Sequence, residues 1–117
     1  MRKDDIIRLQ HMFDAAKEAM SFVANRSRSD LDNNRMLVLS LLKDIEIIGE
    51  AANKVSTEVR DKYINVPWLD IIGMRNHLIH GYFDIDLDIV WDTVTKDLPP
   101  LIVELEKILS LEKKENG

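Results

Sequence analysis

From Ile6 onward the apolar residues Ile6, Leu9, Phe13, Ala16, Met20 and Val23 recur at alternating steps of three and four. That spacing puts them on one side of a helix and predicts α-structure from about Asp4 to Asn25. A second stripe, Leu37, Leu41, Ile45, Ile48, Ala52 and Val55, follows the cap-rich stretch Ser27 to Asp32 and predicts a longer helix ending near Val55. Ser56 and Thr57 can cap a short further turn through Tyr63. Asn65-Val66-Pro67 then restarts the chain with proline near a helix start, where its missing N–H costs nothing. The next helix is expected to carry Trp68, Ile71, Ile72 and Ile79 inward and to end at Gly81 as a left-handed C-cap. Asp84 or Asp86 can cap a following helix with Leu87, Val90, Trp91 and Val94 as its apolar side. Asp97-Leu98-Pro99-Pro100 should break or kink the chain. A last helix turns Leu101, Leu105, Ile108 and Leu109 inward, and Glu112 to Gly117 is expected to fray as a polar tail.

No alternating strand pattern, internal repeat or low-complexity linker interrupts this succession, so the connections are short and neighbouring helices should pack antiparallel. The predicted fold is all-α: an up-and-down bundle of four to five helices. At 117 residues and 45% apolar content the chain can close one core, so residues 1–117 are read as a single domain, with 1–3 and 112–117 at its frayed ends. Gly49 and Gly73 are expected to mark close helix contacts, each accepting a helix-propensity cost of about 1 kcal/mol.

Charge narrows the function classes. Sixteen Lys and Arg against 21 Asp and Glu leave a net charge of −5, which argues against an extended, sequence-blind grip on nucleic acid. Any phosphate site must be local. Arg26, Arg28 and Arg35 cluster in one stretch, while Asp84, Asp86, Asp88 and Asp92 make another acidic, although each cluster alone is simply a solvated surface. The chain has no cysteine, which removes disulfides, thiolate metal sites and thiol nucleophiles together. Its first residues are charged, without an apolar signal core, and charges break every apolar run short of the roughly 18 to 20 residues of a membrane span. A cytoplasmic protein that does not enter the membrane is expected.

Candidate chemistry concentrates in Met74-Arg75-Asn76-His77-Leu78-Ile79-His80-Gly81-Tyr82. On an ideal helix Arg75 shares a face with Trp68, Ile71, Ile72 and Ile79, so it should be buried and need a carboxylate or phosphate partner; Glu46 or Glu50 could serve. For Arg75 alone, a structural ion pair is the simpler reading. His80, in the expected last helical turn, would feel the negative end of the helix dipole, which favours the imidazolium and suits a general acid or base. A favourable cap explains a lone histidine there equally simply. Five positions turn Arg75 from His80 by about 140° on a straight helix, so one copy does not aim both at one phosphate. Two copies around a two-fold axis would line one cleft with both pairs. His77 and His80, with Asp84 nearby, also invite a metal reading, but two nitrogens make an incomplete ligand set, and His77 more simply faces solvent or a dimer cleft. No phosphate-cradling glycine loop or serine-nucleophile elbow is present.

Arg75, four residues, His80, one residue and Tyr82 resemble the Arg-x4-His-x-Tyr motif of the HEPN superfamily, most closely its HepT toxins. The likeness continues through Ile48-Gly49-Glu50-Ala51-Ala52, Pro67-Trp68, Gly73-Met74-Arg75-Asn76, Val90-Trp91 and Asp97-Leu98-Pro99, and so covers nearly the whole chain. The resemblance implies a homodimeric, metal-independent endoribonuclease, the toxin of a toxin–antitoxin pair, acting without a cofactor on RNA, with tRNA a candidate substrate. It implies Arg75 and His80 as catalytic residues contributed by both chains, with Asn76 and Glu50 in support. It also implies a nucleotidyltransferase antitoxin of the MNT type that attaches AMP to Tyr82. For Tyr82 taken alone, a packed ring with a bonded hydroxyl is the plainer reading. The main rival is a catalytically inert HEPN dimer that serves as a binding module for a nucleotidyltransferase or a nucleotide, a reading that the acidic net charge favours.

Overall fold

The computed structural model describes residues 2–79 and 84–116. Helix α1 (Lys3–Val23) buries Leu9, Met12, Ala15, Ala16, Ala19 and Val23. This buried face is wider than the expected stripe and partly rotated from it: Met12 and Ala19 are fully covered, while Phe13 and Met20 sit half-buried at its margin. The cause is tertiary, since α1 packs against two partners, α2 and α6. Asn25 then takes a positive φ of 63°, a conformation asparagine tolerates better than most residues. A 3₁₀ turn (Arg28–Asp32) follows, closed by a capping box in which the Ser27 amide donates to Asp30 Oδ2 at 2.8 Å.

Asn34 caps α2 (Arg35–Lys54), its Oδ1 accepting from the Leu37 amide at 3.0 Å. The second stripe is buried as expected, with Leu41, Ile45, Ile48 and Ala52 fully enclosed. Gly49 accounts for the approach of the next long helix: a Cβ there would stand 3.3 Å from the Ile71 carbonyl oxygen. At Gly73 the expectation of a close helix contact fails, because a Cβ would meet nothing within 4 Å among the described residues. Short α3 (Thr57–Lys62) is capped by Ser56, whose own N–H and hydroxyl donate to the buried Asp5 carboxylate at 2.8 and 2.9 Å and so tie it to the start of α1.

Helix α4 (Trp68–Leu78) packs on α2 and ends three residues before Gly81. Leu78, fully buried, completes its inner face where Ile79 was expected. Ile79 is extended and half-buried, paired with Ile85 in an isolated antiparallel bridge, while the Asp86 amide donates to the Leu78 carbonyl at 2.7 Å. Burying Leu78 and spending its carbonyl on this crossing bond ends the helix early. Asp86 caps α5 (Leu87–Asp92), accepting from the Ile89 amide at 3.1 Å.

The Asp97 to Pro100 stretch does not break the chain. A π-type turn over Thr93–Asp97 carries α5 straight into α6 (Leu98–Asn116), and Pro99 and Pro100 fall in the first turn of α6, where a missing N–H is tolerated. Leu101, Leu105, Ile108 and Leu109 are buried as expected. The polar tail does not fray at Glu112: this residue is fully buried, accepting from Lys62 Nζ at 2.9 Å and from the Tyr63 hydroxyl. The result is an all-α bundle with α1 between α2 and α6, and α4 laid against α2. Among the described residues no helix is long and apolar enough to cross a membrane.

Candidate active site

The site is organised by the contact between α4 and α2. Arg75 is not buried: its side chain is half-exposed beside α2, with Nε 3.6 Å from Glu46 Oε2. Burial on α4 centres on Trp68, Ile71 and Leu78, which leaves Arg75 on the flank, where a long side chain reaches solvent. Glu46 is thus the carboxylate partner. Glu50, one turn further along α2, is exposed and forms no ion pair with Arg75. Lys43 adds a second cation to the same carboxylate, 3.9 Å from Glu46 Oε1.

Asn76 and His77 are exposed on α4. His77 lies two positions from Arg75, about 200° around the helix, and lines a different surface: a groove of about 520 Å³ walled by Ile71, Met74, Ile89 and Leu101. His80 and Tyr82 lie outside the described residues. On either side of them, Ile79 bridges to Ile85 and the Asp86 amide donates to the Leu78 carbonyl, at the end of α4.

The charged clusters resolve into separate duties. Arg28 is taken up by Asp32 and Asp88 at 2.9 and 2.7 Å, and both bonds favour its charged form. Of the acidic stretch, Asp86 caps α5, Asp88 holds Arg28 and Asp92 pairs with Lys96 at 3.3 Å. Arg26 and Arg35 are both exposed, the first after α1 and the second at the start of α2, and neither side chain forms a hydrogen bond or ion pair among the described residues. Sequence periodicity missed the buried carboxyls Asp5, Asp44 and Glu112, since it scores such residues as surface. The available signal was spacing within an apolar stripe, as Asp44 stands three residues after Leu41 and four before Ile48.

The described residues form an all-α bundle with an exposed arginine paired to a glutamate across the contact of α4 with α2. Residues 12–108 match the family described as Ribonuclease HepT-like, and the chain belongs to that family. A relative from Caldanaerobacter subterraneus named "Putative RNase TTE0752" is 35% identical over 105 residues, covering 90% of this chain and 94% of its own. A Thermococcus cleftensis protein named "Probable ribonuclease HepT" is 35% identical over 69 residues, 59% of this chain and 63% of its own. A Methanocaldococcus jannaschii protein named "Gamma-glutamylcyclotransferase and putative RNase MJ0434" is 36% identical across the whole of this chain, which spans 53% of that relative's length. No solved structure matches the chain.

Proposed function

We propose that this protein is a metal-independent endoribonuclease acting as the toxin of a toxin–antitoxin pair. The observation that carries the reading is the placement of Arg75, open to solvent and, among the described residues, paired with the half-buried Glu46 alone, on the helix that precedes His80 in the chain. An arginine so placed can trade Glu46 for a phosphate and fork two N–H donors onto the oxygens where charge builds. His80 takes the proton from the ribose 2′-hydroxyl as its oxygen attacks phosphorus, or delivers one to the departing 5′-oxygen; the strand breaks with a 2′,3′-cyclic phosphate on one side and a 5′-hydroxyl on the other. Such proton transfer is typically worth a factor of about 10² to 10⁴, and the need for a 2′-hydroxyl excludes DNA.

In this reading two chains meet around a two-fold axis, so that Arg75 and His80 of both line one cleft, with Asn76 steadying the phosphate. Tyr82 is the point of control: an MNT-type nucleotidyltransferase places AMP on its hydroxyl, and the added bulk and negative charge repel the RNA backbone. The test is incubation of total RNA and tRNA with purified, unmodified protein in excess EDTA, beside His80→Ala. Cutting that survives chelation and disappears in His80→Ala is expected. No cutting, by protein whose mass shows no adenylyl group, would instead support an inert binding module, the reading favoured by the net charge of −5.

A further inference from the structure

We infer that Arg35 is a second phosphate-binding residue, which holds the RNA strand several nucleotides from the cleaved bond; this rests on the ribonuclease reading of Arg75 and His80. Three independent features of Arg35 converge on it.

Arg35 has no partner and no structural reason to be cationic. It forms no hydrogen bond or ion pair among the described residues, whereas its neighbour Arg28 is held by two carboxylates. It also opens α2, where the helix dipole disfavours a positive charge.

Arg35 also lies in line with Arg75. Eleven residues separate it from Glu46 on the same continuous helix, which is three turns to within about 20° and about 16 Å along the axis. Arg35 and the Glu46–Arg75 contact therefore share one face of α2. Between them on that face stand Leu39, 45% exposed, and Lys43, itself near Glu46. The strip carries Arg35 and Lys43 on α2 and Arg75 from α4, with Glu46 between Lys43 and Arg75 and with Asp32 and Asp84 beside Arg35, so three cations lie in line on a chain whose net charge is −5.

The third feature is the depression that Arg35 lines, about 450 Å³ in volume, together with Asp84 and Ile85. Ile85 is the residue that pairs with Ile79 to close the segment holding His80. Arg75 thus precedes that segment in the chain and Arg35 flanks the residues that end it. Asp32 in the same depression is engaged by Arg28, and neither Asp32 nor Asp84 comes within ion-pair distance of Arg35. A strand with one phosphate on Arg75 would place another at Arg35 after about five stacked nucleotides, at roughly 3.4 Å per charge.

The experiment uses the full chain carrying His80→Ala, so that bound RNA is not cut, and a labelled single-stranded ten-nucleotide RNA followed by anisotropy across a salt series. Adding Arg35→Ala is expected to raise Kd about tenfold at low salt and to flatten the slope of log K against log salt by about 0.7, the loss of one phosphate contact. Arg35→Lys should retain most of the slope. With His80 intact, Arg35→Ala should raise KM for the ten-nucleotide RNA at unchanged kcat, and leave a dinucleotide, too short to reach Arg35, cut as before. An unchanged Kd and slope, or an equal defect on the dinucleotide, would overturn the inference. If the wild-type chain cuts no RNA, the ribonuclease reading fails separately, and the binding series still decides the role of Arg35.

Discussion

Arg75 and Glu46 face one another across the contact of α4 with α2, Nε to Oε2 at 3.6 Å, both open to solvent. An exposed pair of this kind contributes less than about 1 kcal/mol to stability. Its consequence is for binding, because the carboxylate is the anion that an incoming phosphate must displace. Glu46→Gln should leave the thermal midpoint almost unchanged and tighten RNA binding, measured by anisotropy with a fixed RNA. A weaker affinity would make Glu46 a positioning residue for Arg75 instead.

The two glycines of this region should respond oppositely. Gly49→Val puts side-chain atoms where even a Cβ would stand 3.3 Å from the Ile71 carbonyl, so α4 must move off α2. Overpacking of this kind costs about 1 to 3 kcal/mol, read as a lower urea midpoint. Gly73→Ala meets open space and gains helix propensity, so it should stabilise by up to about 1 kcal/mol. A destabilised Gly73→Ala would show that this face is covered in solution, as a two-fold partner would cover it.

Asp44 sets a pH dependence. It is 2% exposed, and one of its carboxylate oxygens has no hydrogen-bond partner. Burial, reinforced by a hydrogen bond to Glu18 and that residue's charge, pushes its pKa up from 3.8 to about 7. The folded chain therefore holds a proton that the unfolded chain has released. Its contribution is fully present below about pH 3.8, and stability falls as the pH rises towards 7. Asp44→Asn keeps the shape without the charge and should raise the thermal midpoint at pH 8 while flattening its decline between pH 4 and 7.

Glu112 works in the opposite sense. Burial raises its pKa, but hydrogen bonds from Lys62 and then Tyr63 outweigh it, and the net shift is downward. Its stabilisation is present above the ordinary carboxyl value and is lost as the pH falls through the folded pKa. Tyr63→Phe removes one donor from a carboxylate that already has one unpartnered oxygen. The expected cost is about 1 to 3 kcal/mol, measured by urea unfolding at pH 7, and an unchanged midpoint would show that Lys62 satisfies Glu112 alone.

The sequence by itself determined which stretches are helical, though not where α4 ends or that α5 runs on into α6, because helical periodicity and caps are local properties. Leu41, Ile45 and Ile48 announce α2, Ser56 announces the helix it caps, and Asp84 and Asp86 are the two candidates for the cap that Asp86 forms. It also marked Arg75 as needing a carboxylate of α2, Glu46 or Glu50, without choosing between them, and it placed the arginine on the buried stripe, whereas Arg75 is exposed. Tertiary structure decided the rest. Whether Glu46 or Glu50 meets Arg75 depends on the offset between α2 and α4, which the Gly49 contact with Ile71 sets. Leu78 rather than Gly81 ends α4 because its carbonyl is spent on Asp86, a bond between separate elements that no spacing within one helix reveals. Glu112 is buried because Lys62 and Tyr63 come to it from 50 and 49 residues away. The free Arg35 and the paired Arg28 look alike in sequence; only the positions of Asp32 and Asp88 in the folded chain tell them apart.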